Sequence, residues 1–247
     1  MHTKLTQTNS DRLRLTNIEK ILGSKKILSD ITFTISANEI VGLLGPNGAG
    51  KTTAFYIAAG LIFPNQGRVL INNNDVTDTP MHTRANLGLS YLPQEASIFP
   101  DLSVENNLLG IAELTNKNKD QTIQKVAKIV DEFNLKKILN IKGRMLSGGQ
   151  RRKVEIARTL ICEPSIMLLD EPFAGIDPIA VEEIKELLIE ICNRNISILI
   201  TDHNVRETLS LCNKAIILSE GSIIAEGSER NLKDNVHVQE KYFGKMF

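Results

Sequence analysis

The 247-residue chain contains no tryptophan, and aromatic residues make up only 4% of it. Cysteine is also scarce, with three widely spaced residues that form neither a CxxC pair nor a zinc-like pair. Because Cys162, Cys192 and Cys212 lie in apolar stretches, we expect reduced thiols in the core. The cysteine pattern therefore indicates neither a disulfide scaffold nor a structural zinc site.

Neither sign of charge is in excess, since 29 Lys and Arg residues balance 29 Asp and Glu residues. No electrostatic excess draws the chain to nucleic acid or to an anionic membrane surface. No apolar run approaches the ~18 residues of a membrane-spanning helix, and the polar N-terminal extension, residues 1–11, lacks an apolar signal core. We expect a cytosolic protein, held at a membrane only through another chain and without a nucleic-acid partner.

Short apolar segments alternate with helical patterns over most of the chain. The alternation of apolar residues with Thr32 and Thr34 predicts a half-buried strand. Further strands are predicted at 39–44, 68–71, 87–92, 166–169, 196–201, 215–219 and 222–225. Glu220-Gly221 is expected to form the turn of the last hairpin. With 42% hydrophobic residues, the chain can bury a full α/β core.

The middle of the chain differs, because its signals from Ser103 to about Cys162 are helical. We predict one domain, 12–247, with a core of about 12–94 and 163–230, a helical subdomain of about 95–162 and a tail of 231–247. A polar loop is expected at 116–120. One helix face should contain Ile123, Val126, Ile129, Val130 and Phe133. Asp177 and Pro178 are expected to open a later helix, whose buried stripe is Val181, Ile184, Leu187, Leu188 and Ile191.

A glycine-rich segment between a predicted strand and a predicted helix fits the pattern G-x-x-x-x-G-K-[ST]. Its glycines let backbone N–H groups converge on phosphate oxygens, and the helix directs its positive N-terminus at them. Lys51 is expected to reach the β- and γ-phosphates, and the Thr52 hydroxyl to ligate Mg²⁺. We predict a P-loop NTPase with a RecA-like core and N-terminal antiparallel strands. The candidate nucleotide-binding residues are Gly45, Pro46, Asn47, Gly48, Ala49, Gly50, Lys51, Thr52 and Thr53.

A second candidate feature is the apolar strand 166–169, which ends in two carboxylates, Asp170 and Glu171. A carboxylate that leaves a buried strand near a phosphate loop is suited to orient Mg²⁺, the role expected for Asp170. Glu171 would then stand near the γ-phosphate and polarise the attacking water.

The segment from Leu146 to Gln150 reads LSGGQ and precedes a predicted helix, whose N-terminus is a second anion site. Through this motif the chain, from about residue 12 to its end, resembles the ABC ATPases. The resemblance implies ATP and Mg²⁺ as cofactors and a homodimer. In such a dimer Ser147, Gly148, Gly149 and Gln150 of one subunit cover the γ-phosphate held by the other.

Three further residues match motifs of that family. Gln94 matches the loop glutamine that senses Mg²⁺ and links the core to the helical subdomain. Gln94, Thr52 and Asp170 are therefore the expected metal-site residues. Asp177 matches the aspartate that communicates across the dimer, and His203 matches the switch histidine that contacts the γ-phosphate. The resemblance thus implies Glu171, His203 and Gln94 as catalytic residues and Asp177 as part of the nucleotide interface.

The runs at 91–99, 170–178 and 201–209, and the tail at 238–244, are similar to the lipopolysaccharide-export ATPases of Gram-negative bacteria. That similarity implies two integral membrane subunits, whose coupling helices would lie near Gln94, Phe99 and Leu102 on the cytoplasmic face of the inner membrane. Pro100-Asp101 stands where these relatives often have basic residues. Phe99 fits an exposed interface and a buried core equally well.

Other members of the same family remain as alternatives. Branched-chain amino-acid importer ATPases share much of the pattern, including an apolar stretch like 55–57, but usually lack the run His-Asn-Val-Arg-Glu-Thr at 203–208. DNA-repair ATPases need a long coiled coil before the LSGGQ motif, and the segment between Lys51 and Leu146 is too short for one. Translation factors carry two cassettes in one chain, whereas this chain has one.

The residue expected to stack on adenine is the one departure from the family pattern that bears on nucleotide choice. ABC cassettes usually place an aromatic residue there, whereas this chain offers Leu22 with no aromatic neighbour. Base–aromatic stacking is worth ~1–3 kcal/mol. We therefore expect only modest discrimination between ATP and GTP.

Overall fold

A computed structural model of the protein describes residues 11–115 and 118–244. Most of the predicted N-terminal extension, two residues of the predicted 116–120 loop and the last three residues of the predicted tail lie outside these described residues. The described part of the chain forms two sheets with helices packed around them.

The first sheet is antiparallel, with strand order β2-β1-β4-β5. Its strands are β1 (Asp11–Leu22), β2 (Lys25–Ser36), β4 (Gln66–Ile71) and β5 (Asn74–Asp75). Ile31, Phe33 and Ile35 on β2 are buried, whereas Thr32 is exposed and Thr34 half-buried. This period-2 pattern confirms the predicted half-buried strand.

The second sheet has the order β10-β9-β3-β8-β7-β6, and only β10 runs antiparallel to its neighbour. Its strands are β3 (Ile40–Leu44), β6 (Leu89–Leu92), β7 (Ile166–Asp170), β8 (Ser197–Thr201), β9 (Lys214–Ser219) and β10 (Ser222–Gly227). Every residue of β3, β7 and β8 is buried, as expected for parallel strands covered by helices on both faces. The predicted strands are confirmed, with boundaries shifted by a few residues.

The helices between and after these strands are α1 (Lys51–Ala59), α2 (Met81–Asn86), α3 (Val104–Thr115), α4 (Lys119–Glu132), α5 (Gly148–Ile161), α6 (Pro178–Cys192), α7 (Val205–Leu211), α8 (Glu229–Lys233) and α9 (Val236–Val238). Short 3-10 turns lie at Lys136–Ile138 and Gly143–Met145, and a π-helical turn at Gln239–Phe243. In the described part of the chain, no helix is long and apolar enough to span a bilayer.

Two local predictions on helices are confirmed. Asp177 caps α6, since its carboxylate accepts a hydrogen bond from the Ala180 backbone N–H at 3.0 Å, and Pro178 occupies the first turn. The predicted stripe of α6 is buried throughout. In the last hairpin, Glu220 and Gly221 both have positive φ, as a tight turn between antiparallel strands requires.

Two predictions about burial are wrong. Ile123 is 50% exposed. Thr122 is buried instead, because it lies on the same face of α4 as Val126, Ile129 and Val130. Cys162 is exposed because it caps the C-terminal end of α5, outside the buried stripe of that helix. Cys192 is buried and Cys212 half-buried.

A fully buried arginine joins α1 to the segment that follows β5. Arg84 on α2 is 0% exposed and donates to the carbonyl oxygens of Ile57 at 2.6 Å and Ala58 at 2.8 Å, in the last turn of α1. It also donates to Val76 O at 2.8 Å and Thr79 O at 3.0 Å. Burial lowers the pKa of this guanidinium to about 10. Arg84 therefore supplies the positive charge that the last turn of α1 lacks and adds donors to its carbonyl oxygens.

Candidate active site

The carboxyl ends of β3, β7 and β8 meet at one edge of the parallel sheet. The segment after β3 is the glycine-rich loop, β7 ends at Asp170, and Asp170 pairs with Thr201 at the end of β8. These three chain segments line a cleft of about 450 Å³. Its lining residues are Lys25, Ile27, Asn47, Gly48, Ala49, Gly50, Lys51, Thr52, Thr53, Asp170, Glu171, Thr201, Asp202 and His203.

The glycine-rich loop adopts a backbone that side chains would prevent. Gly45 has a φ of 151°, and a Cβ there would lie 2.1 Å from the carbonyl oxygen of Leu218. Gly50 has a φ of 101° and immediately precedes α1, whose N-terminus opens at Lys51. The loop therefore needs glycine at both positions, and it places the positive end of α1 in the cleft.

Lys51 lies folded against its own loop. Its ammonium donates hydrogen bonds to the carbonyl oxygens of Gly45 at 2.7 Å and Pro46 at 3.0 Å. Burial lowers the pKa of Lys51, and the nearby Glu171 carboxylate acts in the opposite direction. Gly45 and Pro46 thus belong to the loop through Lys51, although neither is among the residues that line the cleft.

Glu171 is held at the centre of the site by two donors. Oε1 lies 2.9 Å from His203 Nε2, and Oε2 accepts a hydrogen bond from Gln94 Nε2 at 2.8 Å. Its backbone has a φ of 45°, a value that non-glycine residues rarely adopt, and its N–H donates to Thr201 O at 2.7 Å. The structure therefore brings together Glu171, His203 and Gln94, the three residues whose catalytic role stays a prediction.

Asp170 is a buried carboxylate beside the loop. Burial and the adjacent Glu171 carboxylate raise its pKa, while a hydrogen bond from the Tyr91 hydroxyl to Oδ2, at 3.3 Å, acts against them. Thr52 lines the same cleft. Among the described residues no group of three or more His, Cys, Asp or Glu side chains could hold a metal alone. One carboxylate with one hydroxyl is the donor set expected for a Mg²⁺ that is bound mainly by nucleotide phosphates and water.

The LSGGQ motif forms the start of α5. The Ser147 hydroxyl accepts from the Gln150 backbone N–H at 3.2 Å, and the Gln150 side chain accepts from the Ser147 N–H at 3.1 Å, which is a capping box. Gly149 packs so tightly on α6 that a Cβ would lie 2.5 Å from the Ala180 Cβ. None of residues 147–150, nor Asp177, is among the residues that line the cleft, so one chain does not bring these motifs to its own phosphate loop.

Sequence reasoning missed a buried ion pair on α5 that holds the Gln94 segment. Arg152 and Glu155 are 5% and 2% exposed and lie 3.2 Å apart. Arg152 donates to Pro93 O at 2.9 Å and to Asp170 O at 2.8 Å, whereas Glu155 accepts from the Ser97 N–H at 2.7 Å. The available signal was a pair of opposite charges at i and i+3 on the apolar face of α5.

Sequence reasoning also missed Asp202, which stabilises the segments that follow Glu171 and His203. Its carboxylate accepts hydrogen bonds from the backbone N–H groups of Phe173 at 2.9 Å and Asn204 at 2.8 Å. It is 4% exposed. The available signal in the sequence was an aspartate that directly follows the predicted strand 196–201.

Phe99 is exposed and not buried in the core, and Leu22 lies outside the residues that line the cleft. Phe99 is 50% exposed, with the Arg158 guanidinium 4.9 Å above its ring, so it is not a core residue. Leu22 is 51% exposed at the end of β1 and does not line the cleft. Lys25 and Ile27 of β2 line it instead.

A phosphate loop at the edge of a parallel sheet, a carboxylate held beside it and a separate LSGGQ helix define an ATP-binding cassette. The model of the ABC transporter family matches residues 28–174. The chain belongs to the ABC transporter family, and as an ABC ATPase it binds and hydrolyses ATP.

Relatives match almost the whole chain. It is 47% identical over 232 residues to the lipopolysaccharide export system ATP-binding protein LptB of Haemophilus influenzae, covering 94% of this chain and 96% of that protein. It is 43% identical over 232 residues to the protein of the same name from Escherichia coli strain K12, with the same coverage.

Solved structures share the fold. A nucleotide-free ATP-binding cassette from an ABC transporter superimposes with a TM-score of 0.86 at 28% identity, covering 95% of this chain and 99% of that one. The ADP conformation of an ATP-binding cassette of an ABC transporter gives a TM-score of 0.85 at 28% identity, with the same coverage.

Proposed function

We propose that this chain is the ATP-hydrolysing subunit of a lipopolysaccharide exporter, which acts as a homodimer bound to two integral membrane subunits at the cytoplasmic face of the inner membrane. The observation that supports the transported substrate is the 47% identity, over 94% of this chain, to a protein named for lipopolysaccharide export. The observation that supports the chemistry is the position of Glu171, between His203 and Gln94 at the edge of the phosphate loop.

In the proposed reaction the phosphate loop binds ATP, and Lys51 leaves its carbonyl partners to contact the β- and γ-phosphates. Glu171 orients the attacking water and accepts its proton as a general base, and its contacts with His203 and Gln94 hold the carboxylate in position at the cleft. His203 and Lys51 stabilise the charge that develops on the γ-phosphate. Thr52 and Asp170, with Gln94 beside Glu171, would hold Mg²⁺, which would supply positive charge to the phosphate oxygens.

A second copy is required because the LSGGQ residues lie outside the cleft of their own chain. Ser147 and Gly149 of one copy would meet the γ-phosphate held by Lys51 and Thr52 of the other, with Asp177 at the same interface. In this proposal residues 12–247 form one domain, and the helical subdomain, about 95–162, carries the LSGGQ motif. Hydrolysis removes the phosphate bridge, and the dimer opens.

An exposed apolar patch beside the Gln94 segment supports docking of the membrane subunits. Phe99 and Leu102 are 50% and 42% exposed. Met145, which is 72% exposed, follows a segment that is bonded to this one, because the N–H groups of Gly143 and Arg144 donate to Leu102 O and Pro100 O. Asp101, where relatives often carry a basic residue, pairs with Arg144 at 2.9 Å. A helix from a membrane subunit would bury this patch and contact the segment that holds Glu171.

Purification from detergent-solubilised membranes tests the proposed function. We expect the chain to co-purify with two integral membrane subunits and with lipopolysaccharide. Phe99→Glu should abolish the co-purification, because a charge would be buried at the docking patch, while the ATP affinity of the purified chain is unchanged. Leu114→Glu is the matched control, since Leu114 is 83% exposed on α3 and outside the patch. Recovery of amino-acid importer subunits would contradict the export proposal, and recovery of no membrane subunit would contradict a transport role.

Nucleotide selectivity gives a separate prediction. Because none of the described residues that line the cleft is Phe, Tyr or Trp, the affinities for ATP and GTP should differ by no more than about fivefold, which corresponds to ~1 kcal/mol, the lower end of what stacking provides. Isothermal titration calorimetry with both nucleotides measures this difference. A large preference for ATP that persists after replacement of Leu22 by alanine would rule the idea out.

A further inference from the structure

We propose that Tyr91 is a positioning residue for Asp170: its hydroxyl holds one carboxylate oxygen in place, so that the other is presented to the metal–nucleotide complex. This inference rests on the proposed function, in which Asp170 serves Mg²⁺. Neither the sequence motifs nor the comparisons assign a role to this tyrosine side chain.

The two side chains approach each other across neighbouring strands. Tyr91 lies on β6 opposite Leu168 of β7, and Asp170 follows two residues later on the same face of the sheet. The Tyr91 hydroxyl lies 3.3 Å from Asp170 Oδ2. Asp170 and Thr52 line the nucleotide cleft but Tyr91 does not. Tyr91 therefore contacts the carboxylate from outside the cleft. It bonds to Oδ2, and Oδ1 takes no part in this hydrogen bond.

The helix that carries the phosphate-binding residues fixes the Tyr91 ring. Phe55 and Tyr56 of α1 pack against it with ring centroids 6.1 and 6.5 Å away and interplanar angles of 57° and 86°. Such tilted and edge-on contacts are favourable for aromatic pairs. α1 begins with Lys51 and Thr52. The aromatic group therefore connects the helix that carries the Thr52 hydroxyl to the Asp170 carboxylate, and the proposal assigns both groups to one metal ion.

The Tyr91 phenol is the donor of this hydrogen bond. An ionised carboxylate has only acceptor oxygens, so the proton between the two groups belongs to the hydroxyl. The other strong donor near Asp170, Arg152, bonds to its main-chain oxygen rather than to the carboxylate. Removing the hydroxyl would leave a buried carboxylate without this orienting bond. Groups that orient a metal ligand typically change metal affinity by 10–100-fold when removed.

The test is Tyr91→Phe, which keeps the packed ring and removes only the hydroxyl. Mn²⁺ binding to the protein–ADP complex is measured by electron paramagnetic resonance, together with the ADP affinity in the absence of metal. We expect Mn²⁺ affinity to fall about tenfold, with metal-free ADP affinity unchanged and the rate of ATP hydrolysis recovered at high Mg²⁺. Tyr56→Phe is the matched control, because it removes a neighbouring hydroxyl that contacts the Tyr91 side chain and leaves the bond from Tyr91 to Asp170 in place; its loss of Mn²⁺ affinity should be clearly smaller.

Three outcomes would count against the proposal. Unchanged Mn²⁺ affinity in Tyr91→Phe overturns it, and so does an equal loss in Tyr56→Phe or a parallel loss of metal-free ADP affinity. Asp170→Asn separates this inference from the proposed function. If Asp170→Asn leaves Mn²⁺ binding intact, the metal role of Asp170 itself is wrong. If only Asp170→Asn weakens Mn²⁺ binding, the metal role stands and the role of Tyr91 falls.

Discussion

Replacing Glu171 with glutamine is expected to abolish ATP turnover and to trap an ATP-bound dimer. Glutamine has the same shape and can still contact Gln94 and His203, but it cannot accept a proton from the attacking water. Loss of a general base typically lowers the rate by about 10²–10⁴-fold. Without hydrolysis the γ-phosphate continues to bridge the two copies, so the dimer persists.

Phosphate release measures the turnover, and size-exclusion chromatography with ATP measures the dimer. Glu163→Gln is the matched control, because Glu163 is 76% exposed and pairs with Lys125 outside the cleft. It should hydrolyse ATP like the unaltered protein. A Glu171→Gln variant that hydrolyses ATP normally, or stays monomeric with ATP, would contradict the assignment of the base.

The largest loss of stability is expected from Arg84→Ala. The substitution removes a fully buried guanidinium and leaves the carbonyl oxygens of Ile57, Ala58 and Val76 without these donors. Hydrogen bonds to a charged group are worth ~1.5–3 kcal/mol each, and truncation of a buried side chain also leaves a cavity, so we expect the free energy of unfolding to fall by about 3–5 kcal/mol. The change should be visible as a lower urea midpoint.

An exposed arginine provides the control for this measurement. Arg144 is 58% exposed and pairs with the 73% exposed Asp101, so Arg144→Ala should cost less than about 1 kcal/mol. Arg84→Lys keeps the charge but not the planar set of five donors, and we expect an intermediate midpoint. Equal midpoints for Arg84→Ala and Arg144→Ala would show that the buried bonds do not stabilise the fold.

Buried polar groups connect the LSGGQ helix to Glu171, the proposed base. Arg152 and Glu155 hold the backbone on either side of Gln94, and Gln94 in turn holds Glu171. A shift of α5 would therefore act on the Gln94 segment directly. This is a physical route by which a partner bound at the exposed Phe99 patch could affect hydrolysis.

The sequence alone determined the features that depend on neighbouring residues. The strand–loop–helix at 40–59 follows from glycines that permit positive φ, and the start of α6 follows from the Asp177 cap and Pro178. The LSGGQ capping box and the stripe of α6 depend on helical spacing in the same way. These signals are local, so periodicity and turn chemistry predict them without knowledge of the rest of the chain.

Only the tertiary structure decided which side chains meet across elements. Arg84 is 27 residues from Ile57 and Tyr91 is 79 residues from Asp170, and no periodic pattern relates residues so far apart. The exposure of Ile123, Cys162 and Phe99 likewise depends on what packs beside them, because an apolar or small side chain is compatible with either environment. Local chemistry therefore specified the elements and the motifs, whereas long-range packing decided how the carboxylates are held.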